Sequence, residues 1–91
     1  MTSSPPFRVR YDPRVAKDLR KLDRTVARRI AAAVDELASQ PRPAGVRRLT
    51  GATDLWRIRV GDYRVVYTVR DAELLVLVVR VAHRKQVYRD L

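Results

Sequence analysis

Residues 55–68 read LWRIRVGDYRVVYT, two alternating apolar and polar runs on either side of Gly61-Asp62. A two-residue loop that begins with glycine suits a type II′ hairpin turn, because glycine accepts the positive φ of the first turn position. That turn sets a register. Val60 lies opposite Tyr63, Arg59 opposite Arg64, Ile58 opposite Val65, Arg57 opposite Val66 and Trp56 opposite Tyr67. Side chains alternate across a sheet, so Trp56, Ile58, Val60, Tyr63, Val65 and Tyr67 share one face. That face is apolar and needs a cover. The other face carries Arg57, Arg59 and Arg64, with Leu55, Val66 and Thr68 beneath or beside them. Like charges directly opposite in a sheet are destabilising. The Arg59–Arg64 opposition is therefore poorly explained by folding alone and well explained by a socket for an anion.

The cover comes from the N-terminal half. FRVRY (7–11) alternates as a short strand, with Phe7, Val9 and Tyr11 on one face. Asp12-Pro13 then combines a favoured N-cap with a residue favoured at the first helical position, which predicts a helix carrying Val15, Leu19 and Leu22. A break at Leu22-Asp23 leads into a second helix with a stripe of Val26, Ile30, Ala33, Val34 and Leu37, its outer face holding Arg24, Arg28 and Asp35. The two form a helical hairpin. PRPAG (41–45) is a loop and residues 46–50 a short extended piece. A further strand, 74–82, is apolar on both faces, as expected of an interior strand. If Asp71-Ala72 is a two-residue turn, strict alternation puts His83 on the arginine face and Arg84 on the core face. RKQVYRDL (84–91) is read as a short helix or tail, and residues 1–6 as a loose tail. The expected order is β-α-α-β-β-β: one α+β domain over 1–91, a mostly antiparallel sheet with the helical hairpin on one face.

Composition narrows the chemistry. The chain has 91 residues, 46% hydrophobic, and no cysteine, which excludes disulfides and thiolate metal sites and fits a reducing cytoplasm. The opening MTSSPPFRVRY lacks a basic stretch followed by an apolar one, so no secretory signal is expected. The longest apolar run, LLVLVV (74–79), has strand length, against the ~18 residues that cross a bilayer. Charge is the outlier: 20 Lys+Arg against 10 Asp+Glu, net +10, with all cations but Lys17, Lys21 and Lys85 being arginine. Such a chain is drawn to polyanions, either nucleic acid or an acidic protein. There is one histidine, so no imidazole pair can act within one chain. Asp54, Asp62, Asp71, Glu73 and Asp90 are scattered and lack metal-ligand spacing, so neither a metal nor another cofactor is expected. What remains is metal-free chemistry on a polyanion. Arginines would hold a phosphate and stabilise its developing charge, and a Tyr or His would move protons. RNA brings its own nucleophile, the 2′-OH, and therefore suits these groups better than DNA.

WRIRVGDYRVVYTV, followed by VAHRKQVY, resembles the RelE/ParE superfamily of toxins from bacterial toxin–antitoxin pairs. The shared pattern is W-R-x-R-x-G-x-Y-R-x-x-Y with a terminal H-R-x-x-x-Y, and the resemblance covers nearly the whole chain. It implies a small α+β toxin neutralised by an acidic antitoxin. RelE-type members cut messenger RNA in the ribosomal A site without metal. Carried over by position, the functional residues are Arg57, Arg59, Arg64, Arg84 and Tyr88. Arg64 and Arg84 would grip the scissile phosphate and Tyr88 would stack on or orient the nucleotide. Arg57, with Arg47, Arg48 and Lys85, would bind RNA. For Arg84 the resemblance contradicts strict alternation and is preferred, because the strand is ending there.

One departure bears on mechanism. The RelE pattern has lysines on the first hairpin strand, one of them proposed as the general base, and here both positions are arginine. Bringing a guanidinium from above 12 to 7 takes at least ~5 pKa units, or roughly 7 kcal/mol. Arg59 is thus expected to act electrostatically, with the ribosome or Tyr88 completing the reaction, or His83 is the base, its intrinsic pKa lying near ~6.5. A ParE-type toxin that inhibits DNA gyrase by binding, without nuclease chemistry, is the alternative. A module that retains only antitoxin binding is a third.

Overall fold

Asp12 and Asp23 start the helices. In a computed structural model, which describes residues 7–48 and 55–85, the Asp12 carboxylate accepts from the Arg14 N–H at 2.9 Å and that of Asp23 from the Thr25 N–H at 3.1 Å. These are N-cap bonds, each satisfying a donor that the first helical turn leaves open. Pro13 occupies the first turn of α1 (Pro13–Arg20), and α2 runs Arg24–Glu36. The strands are β1 (Arg8–Tyr11), β2 (Arg47–Arg48), β3 (Trp56–Val60), β4 (Tyr63–Arg70) and β5 (Leu75–His83). They form a five-stranded sheet in the order β1-β5-β4-β3-β2. β1 runs parallel to β5, and the other neighbours are antiparallel. This is the expected α+β arrangement. Of the extended piece expected over 46–50, Arg47 and Arg48 form β2, and the rest lies partly outside the described residues, as do 86–91 with Tyr88.

The hairpin register follows the turn as read from the sequence. Val60 pairs with Tyr63, Arg59 with Arg64, Ile58 with Val65, Arg57 with Val66 and Trp56 with Tyr67. Gly61 has φ +60, and Asp62 is not among the positive-φ residues, as a type II′ turn requires. Val15, Ile30, Val34 and Leu37 of the helical hairpin pack on Val65, Tyr67, Val76, Val78 and Val81 of the sheet. Burying each aliphatic side chain in that layer is worth about 1.5–3 kcal/mol. The Tyr67 ring is fully buried, and its hydroxyl donates to the Pro41 carbonyl at 2.6 Å. Burial pushes its pKa up to about 12.

Two features differ from the expectation after β4, and the second overturns the parity. The link is not a two-residue turn but a 3₁₀ turn over Asp71–Glu73, followed by Leu74 at φ 52. A bulge then shifts the β4–β5 register between Val66, which pairs with Arg80, and Tyr67, which pairs with Val78, leaving Val79 as the extra residue. As a result His83 pairs with Tyr63 and shares its face, the rings meeting edge to face at 5.6 Å. Strict alternation had placed His83 among the arginines. The odd residue in the strand turns it to the other side.

β5 runs past the end of β1, so part of its edge has no strand beside it. There Asp18 of α1 accepts from the Val81 N–H at 3.0 Å and pairs with Arg80 Nε at 3.4 Å. A helix carboxylate thus does the work of a missing strand, satisfying a ladder donor that would otherwise be stranded.

Candidate nucleic-acid interface

On the face away from the helices, Val66 and Ala82 form a second small core, with Leu55 and Val79 packed against it. Above this floor stand the arginines. Arg57 and Arg59 come from β3 and Arg64 from β4. Arg47, paired with Arg57, comes from β2. With Gly45 these four line an open depression of about 250 Å³. A larger cleft of about 420 Å³, between the end of α2 and β3, has Ala33, Leu37 and Ile58 in its wall. It lacks this concentration of cations and is the weaker candidate for an anion despite its size.

The site is electrostatically strained. Arg64 donates to its neighbour's carbonyl, Nη1 to Tyr63 O at 3.3 Å, and Arg59 Nε donates to Gly61 O at 3.2 Å. Burial holds the Arg64 guanidinium below its ordinary pKa, and the charges of Arg59, Arg57 and Arg84 lower it further, with Asp62 alone opposing them. A bound phosphate would offset the repulsion by bringing an opposite charge among these cations. Arg84 belongs to this group, as the resemblance implied and alternation did not. Its backbone N–H donates to Asp62 O at 2.8 Å, which ties the end of β5 to the Gly61-Asp62 turn.

Not all of the expected site residues meet. Arg47, Arg57, Arg59 and Arg64 line the depression, with Arg84 in electrostatic reach of Arg64. Arg48 turns to the other side, its guanidinium carbon 5.0 Å from the centroid of the Trp56 ring. His83 lies with Tyr63, and its Nδ1 accepts from the Lys85 N–H at 3.2 Å. Lys85 is exposed and does not line the depression. Tyr88 lies outside the described residues. Among the described residues no group of three His, Cys, Asp or Glu is placed to hold a metal ion.

Residues that the sequence reading passed over hold the wall in place. The segment 41–46 delivers Gly45 and leads into Arg47. It is tied down by Tyr67 at Pro41, and again by Arg42, which grips Asp71 with two bonds of 3.1 and 2.9 Å. The Arg42 guanidinium carbon also lies 5.2 Å from the centroid of the Trp56 ring, so that ring meets both Arg42 and Arg48. Gly45 has φ +87, a conformation other residues resist. The loop composition PRPAG announces a turn but carries no hint of Asp71, 29 residues further on.

Residues 9–88 match the family model described as "ParE toxin of type II toxin-antitoxin system, parDE". The chain belongs to this toxin family. It is 32% identical over 78 residues to the mRNA interferase toxin RelE of Escherichia coli, spanning 84% of this chain and 81% of that one. Its structure is similar to the RelE of the archaeal RelE–RelB complex from Pyrococcus horikoshii, with TM-score 0.77 and 31% identity over 90% of this chain and 99% of the other. The toxin is also similar to the E. coli RelBE toxin–antitoxin complex, with TM-score 0.73 and 31% identity over 85% and 95% of the respective chains.

Proposed function

We propose that this toxin is a ribosome-dependent, metal-free endoribonuclease that cuts messenger RNA in the A site, and that an acidic antitoxin neutralises it in the cytoplasm. The observation that carries the reading is the depression walled by Arg47, Arg57, Arg59 and Arg64. It is a basic site with room for a phosphate, built at a cost to the sheet. A similar protein named an mRNA interferase, and similar chains crystallised with their antitoxins, support it. The family model bears the ParE name, which favours the gyrase alternative, but the relatives at 30% identity and above carry RelE-type names.

In this mechanism the 2′-OH attacks the adjacent phosphorus, the P–O5′ bond breaks, and a 2′,3′-cyclic phosphate and a free 5′-OH result. Negative charge grows on the non-bridging oxygens, and Arg64 with Arg84 stabilises it, Arg57 and Arg47 holding the strand. Arg59 contributes charge and not proton abstraction. The proton from the 2′-OH passes to the Tyr88 phenolate or to a group of the ribosome, and the departing 5′ oxygen takes up a proton from water. His83, on the far face with Tyr63, is not the base.

Primer extension on programmed ribosomes tests this. Purified protein is expected to produce cleavage within the A-site codon, and Arg64→Ala and Arg84→Ala to abolish it while both variants still fold. Uncut message beside blocked gyrase supercoiling would overturn the reading in favour of the alternative.

A further inference from the structure

Among the described residues the depression is not the sole concentration of positive charge. Another occupies the tip of the helical hairpin. Lys17, Arg20 and Lys21 end α1, and Arg24, Arg28 and Arg29 begin α2; all six are exposed. Among the described residues none of the six is in an ion pair. The carboxylates nearby are committed elsewhere. Asp12 holds Arg14, Asp18 holds Arg80 and the Val81 N–H, and Asp23 accepts from the Thr25 N–H.

The three cations of α2 run against the field of that helix, whereas Lys17 and Arg20 sit in the last turn of α1, where its field favours them. Carboxylates are favoured at helix N-termini and cations at C-termini. α2 has no acidic residue in its first turn and no basic residue in its last, and it ends with Asp35 and Glu36. Like charges also recur one turn apart at Lys17 and Lys21 and at Arg24 and Arg28, a spacing that is mildly destabilising. Stability alone does not explain the arrangement. The apolar residues of the hairpin, Val15, Leu19, Leu22, Val26 and Ile30, are turned into the core. The tip therefore offers a protein partner no apolar anchor, whereas phosphate contacts need only cations.

The two basic regions meet at the Gly61-Asp62 turn. A cleft of about 280 Å³ there is bordered by Arg29 and Val26 of α2 and by Arg59, Gly61, Asp62 and Tyr63. Arg29 Nη1 would lie 3.9 Å from a Cβ placed on Gly61. Arg59 borders both this cleft and the arginine depression.

We propose that the hairpin tip is a second RNA-binding surface. Lys17, Arg20, Lys21, Arg24 and Arg28 grip phosphates of a structured RNA outside the cleaved message, and Arg29 with Arg59 carries the positive track around the turn to the depression. The identification of that RNA as ribosomal rests on the function proposed above; the recognition of an RNA backbone does not.

The test is the combined Lys17→Gln, Arg20→Gln, Lys21→Gln, Arg24→Gln variant, bound to vacant ribosomes at several salt concentrations. Thermal melting is expected to show a fold close to the wild type in stability, since relief of the repulsion among these cations offsets the loss of those that α1 favours at its C-terminus. Affinity for vacant ribosomes is expected to fall at least about tenfold, and the slope of log affinity against log salt to shrink by roughly 3, at ~0.7–0.9 per lost phosphate contact. KM for A-site cleavage should rise with kcat held within about twofold. Wild-type affinity and an unchanged slope would overturn the proposal. So would a variant that loses binding to polyglutamate while keeping ribosome affinity, because the tip would then be a protein-binding surface. If the wild type binds vacant ribosomes, the variant does not, and neither cuts message, the hairpin surface stands and the nuclease reading falls.

Discussion

Replacing Arg64 should make the protein more stable and less active at once. Arg64 pairs directly with Arg59 across the hairpin, and burial together with Arg59, Arg57 and Arg84 depresses its pKa against the single opposing charge of Asp62. Arg64→Met keeps an unbranched aliphatic stem without the charge and places a thioether beside Ala82, its partner on β5. Relief of one directly opposed like-charge pair is worth up to about 1 kcal/mol, and its more distant neighbours add less because they face solvent. The lost bond from Nη1 to Tyr63 O, at 3.3 Å, is long and worth about 0.5 kcal/mol at most. The balance is a gain of roughly 0.5 kcal/mol or somewhat more, or a Tm rise of about 2–5 °C at low salt for a domain of this size. Screening at ~1 M salt should narrow the difference. Single-turnover cleavage on programmed ribosomes should fall about 10²–10³-fold, the cost of removing one preorganised charge donor from a developing oxyanion. Paired melting curves and cleavage rates decide the matter. A variant less stable than wild type at low salt would refute the repulsion argument. A stable variant that cleaves within about threefold of wild type would refute the phosphate grip.

The alkaline limb of stability should report Tyr67. Its folded pKa of about 12 lies above the ordinary 10.0, so the folded state favours the neutral phenol. Stability is full below pH ~10 and falls by roughly 2–3 kcal/mol as pH rises toward ~12; urea denaturation should show this step in the wild type and its absence in Tyr67→Phe. The acid limb should report the loop clamp. Arg42 holds the Asp71 carboxyl below its ordinary pKa, first through their hydrogen bonds, so this contribution is present above the usual carboxylate range and lost as pH falls through the lowered value. Trp56 is the sole tryptophan and the Arg42 guanidinium lies near its ring. Its emission should change over that acid range and should not do so in Asp71→Asn.

The hairpin could be read from the sequence because every local signal agreed: a glycine turn, strict alternation and a register that one pair fixes. The helix starts were legible for the same reason, each resting on an aspartate whose bond partner is two residues away. His83 was not legible. Its face depends on a parity carried across nine residues of β5, and one extra residue, Val79, reverses it. Nothing in LLVLVVRVAH marks where a bulge will fall, since both faces of that strand are apolar. Asp18 and Asp71 were missed for a related reason. Their partners lie 63 and 29 residues away, and an isolated carboxylate looks alike whether it faces water or caps a strand.

The cationic excess is informative because of where the structure concentrates it. Four aspartates act as internal fittings: Asp12 and Asp23 cap helices, Asp18 closes the β5 edge and Asp71 anchors the loop before β2. None of them is in an ion pair with the six exposed cations of the hairpin tip. A chain that merely tolerated arginine would scatter its cations near spare carboxylates. Here Arg59 faces Arg64, Arg47 faces Arg57, and α2 opens with cations where its own dipole favours acids. Each is a small, separate penalty, and all are relieved by the same change, the arrival of phosphates. Binding and stability are then linked with a definite sign. Millimolar phosphate or short RNA should stabilise the wild type by the free energy of occupancy, and should do so less for Arg64→Met, although that variant is the more stable of the two without ligand.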